Sequence, residues 1–187
     1  MRPAMRLPRT APAVVAVGGV CLLLTLLFGL TPVLIALTAH AGLALVPSAL
    51  GAPLALPPLR AVPLGGTGPV QLLCEDFAAL VLVTVATLRM RRHVRVRPVA
   101  GWARRALAGW SALVVGGGVS GVWRGLVAAR LVDAGVLGWV LYGVAGAVSG
   151  AAWATTLGWL PALATTVCAR RNPVPFRLRT GRGRVRP

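Results

Sequence analysis

Two adjacent carboxylates inside an apolar stretch are the clearest candidates for chemistry in this sequence. Glu75 and Asp76 interrupt an otherwise uncharged run over residues 69–88, and the whole chain holds only three acidic residues. A carboxylate at the centre of a bilayer costs about 2.5–3.5 kcal/mol, so such a group marks an ion, proton or substrate site, or a structural ion pair. Neighbouring helical residues point about 100° apart, so the two carboxylates cannot face one partner.

Arg124 is the cation that we expect opposite this acidic pair. It follows the third apolar run of the chain, at the level of Glu75 if successive runs alternate in direction, and Arg130 is a second candidate. We favour a structural ion pair over a transport site, because a shallow position lowers the cost of the charge. The other apolar runs also lack charged groups of their own. The candidate polar site is therefore Glu75, Asp76 and Arg124.

No catalytic or metal-binding constellation accompanies this site. The cysteines and histidines are Cys21, Cys74, Cys168, His40 and His93. They lie far apart, and no CxxC spacing occurs. The glycine run at residues 116–118 lies inside an apolar run and does not form a nucleotide-binding loop. The sequence predicts no catalytic residues, no metal, no cofactor and no enzymatic activity.

The elements that carry these residues are predicted to be membrane-spanning helices. Hydrophobic residues make up 57% of the chain and charged residues 12%, which is about half the charged share of a soluble domain. Apolar runs at about 13–37, 69–88, 106–123 and 136–160 have the length that crosses a bilayer. We expect an all-α membrane protein with four transmembrane helices within residues 1–168. A cleaved signal peptide is the alternative for the first run, which is longer than the usual ~7–15 residues.

The segment between the first two runs is apolar but rich in proline. Residues 38–69 contain Pro47, Pro53, Pro57, Pro58, Pro63 and Pro69. A proline inside a helix costs about 3 kcal/mol, and lipid does not tolerate an unsatisfied backbone. We interpret this segment as a long outer loop on the membrane surface, with a re-entrant segment as the alternative.

The arginines predict the direction of each span, because basic residues that flank spans stay on the cytoplasmic side. Three lie before residue 10, seven within residues 89–105 and seven after residue 169, while Arg60, Arg124 and Arg130 fall on the opposite side. This distribution predicts an antiparallel bundle in the plasma membrane with both termini cytoplasmic. Residues 169–187, which are rich in arginine and proline, are predicted to be a disordered cytoplasmic tail.

Small residues recur at four-residue spacing in the last two spans. The predicted packing positions are Gly117, Gly121, Gly146, Gly150 and Gly158. Such spacing lays a smooth groove along one helix face and lets two helices pack closely in lipid. We expect these glycines to join the third and fourth spans as a hairpin, with contact in a homo-oligomer as the alternative.

The function predicted from these features is that of an accessory or scaffold subunit. Its expected partners are the lipid bilayer, including anionic lipid, and another membrane protein or a second copy of the chain. Arginine clusters near an anionic leaflet contribute about 1 kcal/mol per residue to lipid binding. Nucleic acid is not the partner that we expect. The alternatives are a small transporter or channel component with an acidic site at Glu75 and Asp76, and a membrane tether that holds nucleic acid through arginine-rich segments.

Overall fold

The computed structural model describes residues 11–40, 55–63, 68–98 and 100–171, and these residues form helices and connections without strands. The helices are α1 (Ala11–Gly29), α2 (Thr31–His40), α3 (Pro69–Val96), α4 (Trp102–Leu131), α5 (Val136–Leu157) and α6 (Trp159–Arg171). The prediction of an all-helical protein is confirmed. The tail after residue 171, residues 1–10 and most of the proline-rich segment lie outside the described residues.

Four of these helices are long and apolar enough to cross a membrane. They are Pro12–Gly29 within α1, and the whole of α3, α4 and α5. The prediction of four helices of membrane-spanning length is therefore confirmed, and these helices indicate a multi-pass membrane protein. Helices α2 and α6, of 10 and 13 residues, are each too short to span a bilayer alone.

The helix boundaries differ from those expected, for local reasons. The first spanning helix ends at Gly29 instead of residue 37, and α2 begins at Thr31. Pro32 accounts for the break, because it has no N–H to donate to the carbonyl four residues earlier. Proline is accepted in the first turn of a helix, where its missing N–H has no partner to lose. Helix α4 runs for 30 residues, beyond the apolar run on both sides. Arginine is a good helix former, so the helix continues where the hydropathy signal stops.

Helix α4 is the centre of the fold. It packs against α3, α5 and α6, while α1 packs against α3 and α6. The apolar side chains fully removed from solvent between these helices include Val17, Cys21, Leu82, Ala86, Met90 and Leu113. The faces that point away from this core carry exposed Val, Leu and Ile side chains, as expected for helices surrounded by lipid.

Helices α4 and α5 meet along a seam of glycines, which we call the glycine seam: Gly117, Gly121, Gly125, Gly143, Gly146 and Gly150. Gly117 lies opposite Gly150, and Gly121 lies opposite Gly146, so the residue numbers rise along one helix as they fall along the other. The two helices therefore run in opposite directions. A Cβ atom added to Gly117 would lie 2.6 Å from the carbonyl oxygen of Gly150. Only glycine permits so close an approach of two backbones.

Candidate functional site

Described residues of the proline-rich segment fold back onto the bundle at the end that we call the loop end. Here residues 55–60 meet the end of α1, the start of α3 and the end of α4. The Leu59 N–H donates to the Thr25 carbonyl at 2.9 Å, and the Arg60 N–H donates to Asp76 Oδ1 at 2.9 Å. Pro57 and Pro58 precede these two donors and fix an extended backbone. The loop end thus receives two main-chain hydrogen bonds from this short extended segment.

Glu75 and Arg124 form an ion pair between α3 and α4 at the loop end. Arg124 Nε lies 2.8 Å from Glu75 Oε2 and donates a hydrogen bond to Oε1 at 3.1 Å. Oε2, although nearer, accepts no hydrogen bond from the described residues. The Arg124 side chain is 12% exposed and that of Glu75 is 27% exposed. Partial removal from water strengthens such a pair and makes the loss of either partner costly.

The same guanidinium also holds the proline-rich segment. Arg124 Nη1 donates to the main-chain carbonyl of Ala55 at 2.8 Å. Ala55 is buried and has a φ of 62°, a left-handed conformation that L-residues seldom adopt. The Arg124 side chain therefore connects α4 both to Glu75 on α3 and to Ala55 in the proline-rich segment.

Asp76 has a different partner from Glu75, as the angle between adjacent helical residues requires. Its Oδ1 accepts the Arg60 N–H, while Arg60 Nη2 lies 3.5 Å from the Phe28 carbonyl at the end of α1. Glu75 therefore connects α3 to α4, and Asp76 connects α3 to the proline-rich segment. The structure brings Glu75 and Arg124 together, and it brings neither of them to Asp76 by a hydrogen bond or ion pair among the described residues.

Aromatic side chains pack beside the acidic pair. Trp123 Nε1 donates to the Cys74 carbonyl at 3.1 Å, and the Trp123 ring lies 4.7 Å from the Phe77 ring between centroids. A buried or half-buried indole that has its N–H satisfied makes a stable apolar contact. Trp123 therefore adds a hydrogen bond and a ring contact between α3 and α4 beside the ion pair.

A small cavity opens beside the ion pair. Its volume is about 130 Å³, and its lining consists of Gln71, Cys74, Glu75, Arg124, Val127, Ala128 and Leu131. A cavity of this size can hold a few waters or a small ion. In the part of the chain that the structure describes, no three His, Cys, Asp or Glu side chains are grouped so that they could bind a metal.

The opposite end of the bundle, which we call the arginine end, consists of the last turns of α3 and the first turn of α4. Arg89, Arg91, Arg92 and Arg95 are exposed there. Arg105 donates from Nη2 to the Pro98 carbonyl at 2.9 Å, across the turn between the two helices. This end carries positive charge and no acidic residue of the chain.

Sequence reasoning missed two groups that complete the loop end: the Ala55 carbonyl and the Arg60 N–H. The interpretation of residues 38–69 as a loop on the membrane surface stays a prediction; within that segment Ala55, Leu56 and Pro57 are buried against the helices. Residues 31–40 also form a helix, while residues 41–54 lie outside those described. The leucines on either side of Pro57-Pro58 could have suggested that this stretch is buried. The main-chain groups that form the hydrogen bonds could not be predicted, because nearly every residue carries the same donor and acceptor.

The predicted packing glycines fall at two places. Gly117, Gly121, Gly146 and Gly150 lie in the glycine seam, whereas Gly158 ends α5 and lies against the indole ring of Trp110. The Trp110 Nε1 donates to the Thr155 carbonyl at 3.2 Å, which explains why the ring approaches Gly158.

Comparison with known proteins adds no relative. No family model matches the sequence, and neither a curated protein nor a solved structure is similar to it. The functional conclusion therefore depends on the geometry alone.

Proposed function

We propose that this chain is an integral membrane protein without enzymatic activity, which acts as an accessory or scaffold subunit that binds anionic lipid or another membrane protein. In this proposal the helices form an antiparallel bundle in the plasma membrane. The arginine end and both termini face the cytoplasm, and the loop end faces outward. The positive-inside rule supports that orientation.

One observation carries the proposal: both carboxylates within the spans already have partners in the chain. Glu75 pairs with Arg124, and Asp76 accepts a hydrogen bond from the Arg60 main chain. Because these two carboxylates connect helices to each other and to residues 55–60, neutralising either of them should destabilise the fold. The surfaces left for partners are the exposed apolar helix faces and the arginine end.

The outward face of α5 is the apolar surface that a neighbouring membrane protein would meet. Leu137, Leu141, Val144 and Val148 are all more than half exposed and lie at helical spacing on the side away from the glycine seam. Lipid covers such a face equally well, so occupancy by protein has to be tested directly.

The test is extraction of the full chain from its own membrane into nanodiscs, followed by measurement of the proteins and lipids that remain at fixed stoichiometry. We expect a partner protein or an anionic lipid to be retained. Val144→Trp on α5 should release a partner that uses this face, while the matched change Val15→Trp on the exposed face of α1 should not. Retention of neither protein nor anionic lipid would refute the proposal.

The cavity beside Glu75 supports a second candidate, a transporter or channel component. The discriminating variant is Glu75→Gln in purified protein within sealed vesicles. A transport role predicts a folded protein that has lost an ion or solute flux, whereas the scaffold role predicts reduced stability and no flux in either form. Reporters at each terminus and at residue 60 test the proposed orientation independently.

A further inference from the structure

Two depressions at the arginine end share two residues of their lining, Arg92 and Val96, of which only Arg92 is charged. The inner depression has a volume of about 360 Å³, lies between α3 and α4, and includes Arg89, Arg92, His93 and Arg97 in its lining. The outer depression, of about 440 Å³, lies on the adjoining face of α3 and is lined by Leu88, Arg91, Arg92, Arg95 and Val96. Arg92 therefore lies between two neighbouring basic hollows.

No acidic side chain of the chain lies within reach of these arginines. Glu75 and Asp76 lie near the start of α3, and Asp133 follows the end of α4. Fourteen residues of helix separate Glu75 from Arg89, which corresponds to about 20 Å. At this distance the two carboxylates cannot form ion pairs with the arginine end, and each already has a partner at the loop end. A negatively charged ligand can therefore bind these arginines without competing with an acidic side chain.

His93 gives the inner depression a further polar group. Its Nε2 atom is buried and has no hydrogen-bond partner among the described residues. Buried polar atoms are normally hydrogen-bonded, so an atom of this kind on the wall of a basic hollow indicates a ligand that can bond to it. The guanidinium N–H groups are donors, as is His93 Nε2 in the tautomer that carries its proton there, and the acceptor common to them is an oxyanion.

We propose that the paired depressions bind the headgroup of an anionic phospholipid that carries two phosphates, one in each hollow, with Arg92 between them. Guanidinium groups bind phosphate oxygens in a bidentate manner. Basic pockets between membrane helices on the cytoplasmic side are suited to multiply charged headgroups. Trp102, 69% exposed at the start of α4, lies at the same end of the bundle, where interface aromatics are found. This inference rests on the membrane orientation of the proposed function and makes its lipid partner specific.

The experiment uses the full-length protein in nanodiscs of phosphatidylcholine that contain either diphosphatidylglycerol or phosphatidylglycerol at equal total negative charge. Native mass spectrometry then measures the lipid retained by the protein. We expect the lipid with two phosphates to be retained at least about tenfold more strongly, since hydrogen bonds to charged groups add to the diffuse attraction that both lipids share. Equal retention of the two lipids would overturn the site.

Arg92→Gln and Arg104→Gln form a matched pair of variants. Both remove one charge from exposed positions of the arginine end, but Arg104 lines neither depression. Arg92→Gln should reduce the preference for the two-phosphate lipid to near one, while Arg104→Gln should weaken both lipids by about fivefold or less and keep the preference. If the two variants behave alike, the arginines act as a diffuse field and the proposal is wrong.

Arg92→Lys keeps the charge without the planar fork, and we expect it to lower the preference while leaving the binding of phosphatidylglycerol unchanged. A control with free pyrophosphate separates the sources of the phosphate. Displacement of the lipid by low concentrations of pyrophosphate would identify a soluble ligand and overturn the lipid assignment. Loss of the lipid preference in a protein that still retains a stoichiometric protein partner would remove this site and leave the scaffold proposal intact.

Discussion

The two ends of the bundle hold their charges in opposite ways. At the loop end, Glu75 and Asp76 have partners inside the chain, in Arg124 and in the main chain of Arg60. At the arginine end, exposed guanidinium groups such as Arg91 and Arg92 have no acidic side chain nearby. We therefore expect Glu75, Asp76 and Arg124 to stabilise the fold, whereas exposed arginines such as Arg91 and Arg92 are available to a ligand. The difference predicts that equal substitutions at the two ends will have unequal effects on stability.

The substitution with the largest expected effect is Gly121→Leu. It lies in the glycine seam between the two ends of the bundle, so it should destabilise the loop end and the arginine end together. A Cβ atom at Gly121 would overlap the carbonyl oxygen of Gly146 across the glycine seam. Overpacking at a backbone contact should lower the free energy of unfolding by about 3 kcal/mol, which exceeds the gain of about 0.8–1 kcal/mol from better helix propensity. Tryptophan fluorescence during unfolding in mixed detergent micelles measures the change.

The matched control for this substitution is Gly19→Leu. Gly19 lies on an exposed face of α1, and a Cβ atom there would meet nothing within 4 Å. We expect the stability of this variant to equal or slightly exceed that of the original chain. A similar loss of stability at both positions would show that the close contact between α4 and α5 does not require glycine at position 121.

The next largest effect should follow Arg124→Gln at the loop end. This change leaves Glu75 without its ion pair and the Ala55 carbonyl without its donor. Because both side chains of the pair retain some exposure, we expect a loss of about 2 kcal/mol, below the 3–5 kcal/mol of a fully buried pair. Equilibrium unfolding of Arg124→Gln, Glu75→Gln and the double variant gives the coupling energy.

Arg130→Gln is the control for Arg124→Gln, because Arg130 is exposed near the end of the same helix. Its stability should change by less than about 0.5 kcal/mol. An additive double variant of Glu75 and Arg124, with no coupling energy, would mean that the ion pair does not stabilise the loop end.

A smaller effect is expected for Trp123→Phe, which keeps an aromatic ring beside Phe77 but removes the hydrogen bond to the Cys74 carbonyl. The loss of one neutral hydrogen bond should cost about 1 kcal/mol in the free energy of unfolding. Trp102→Phe provides the comparison, since Trp102 is 69% exposed. Should the Trp102 variant lose as much stability as the Trp123 variant, the indole hydrogen bond at the loop end would not be the cause.

The smallest effect is expected for Arg91→Gln at the arginine end. In nanodiscs of phosphatidylcholine alone, the free energy of unfolding should change by less than about 0.5 kcal/mol, as for exposed residues in general. Thermal unfolding followed by tryptophan fluorescence is the measurement. A loss above about 1 kcal/mol without anionic lipid would contradict the assignment of this end to ligand binding, because it would make Arg91 part of the fold.

Parts of the candidate site could be predicted and parts could not. The pairing of Glu75 with Arg124 was an expectation from charge scarcity, because an acidic residue in an apolar span has few cations to choose from. The acceptor of the second Arg124 hydrogen bond, the Ala55 carbonyl, had no comparable signal. Side-chain charges are visible in a sequence, whereas every residue except proline carries the same main-chain donor and every residue the same acceptor.

The sequence by itself determined that this chain is helical and crosses a membrane, because apolar runs of that length leave few other ways to satisfy the backbone. It also determined which end of the bundle is basic, since the arginines cluster between the second and third apolar runs. The tertiary structure alone decided that residues 55–60 enter the loop end and that Gly121 meets Gly146. It also decided that Arg92 lies between two hollows. Such contacts join residues that are distant in the chain, and only the packed helices set the distances between them.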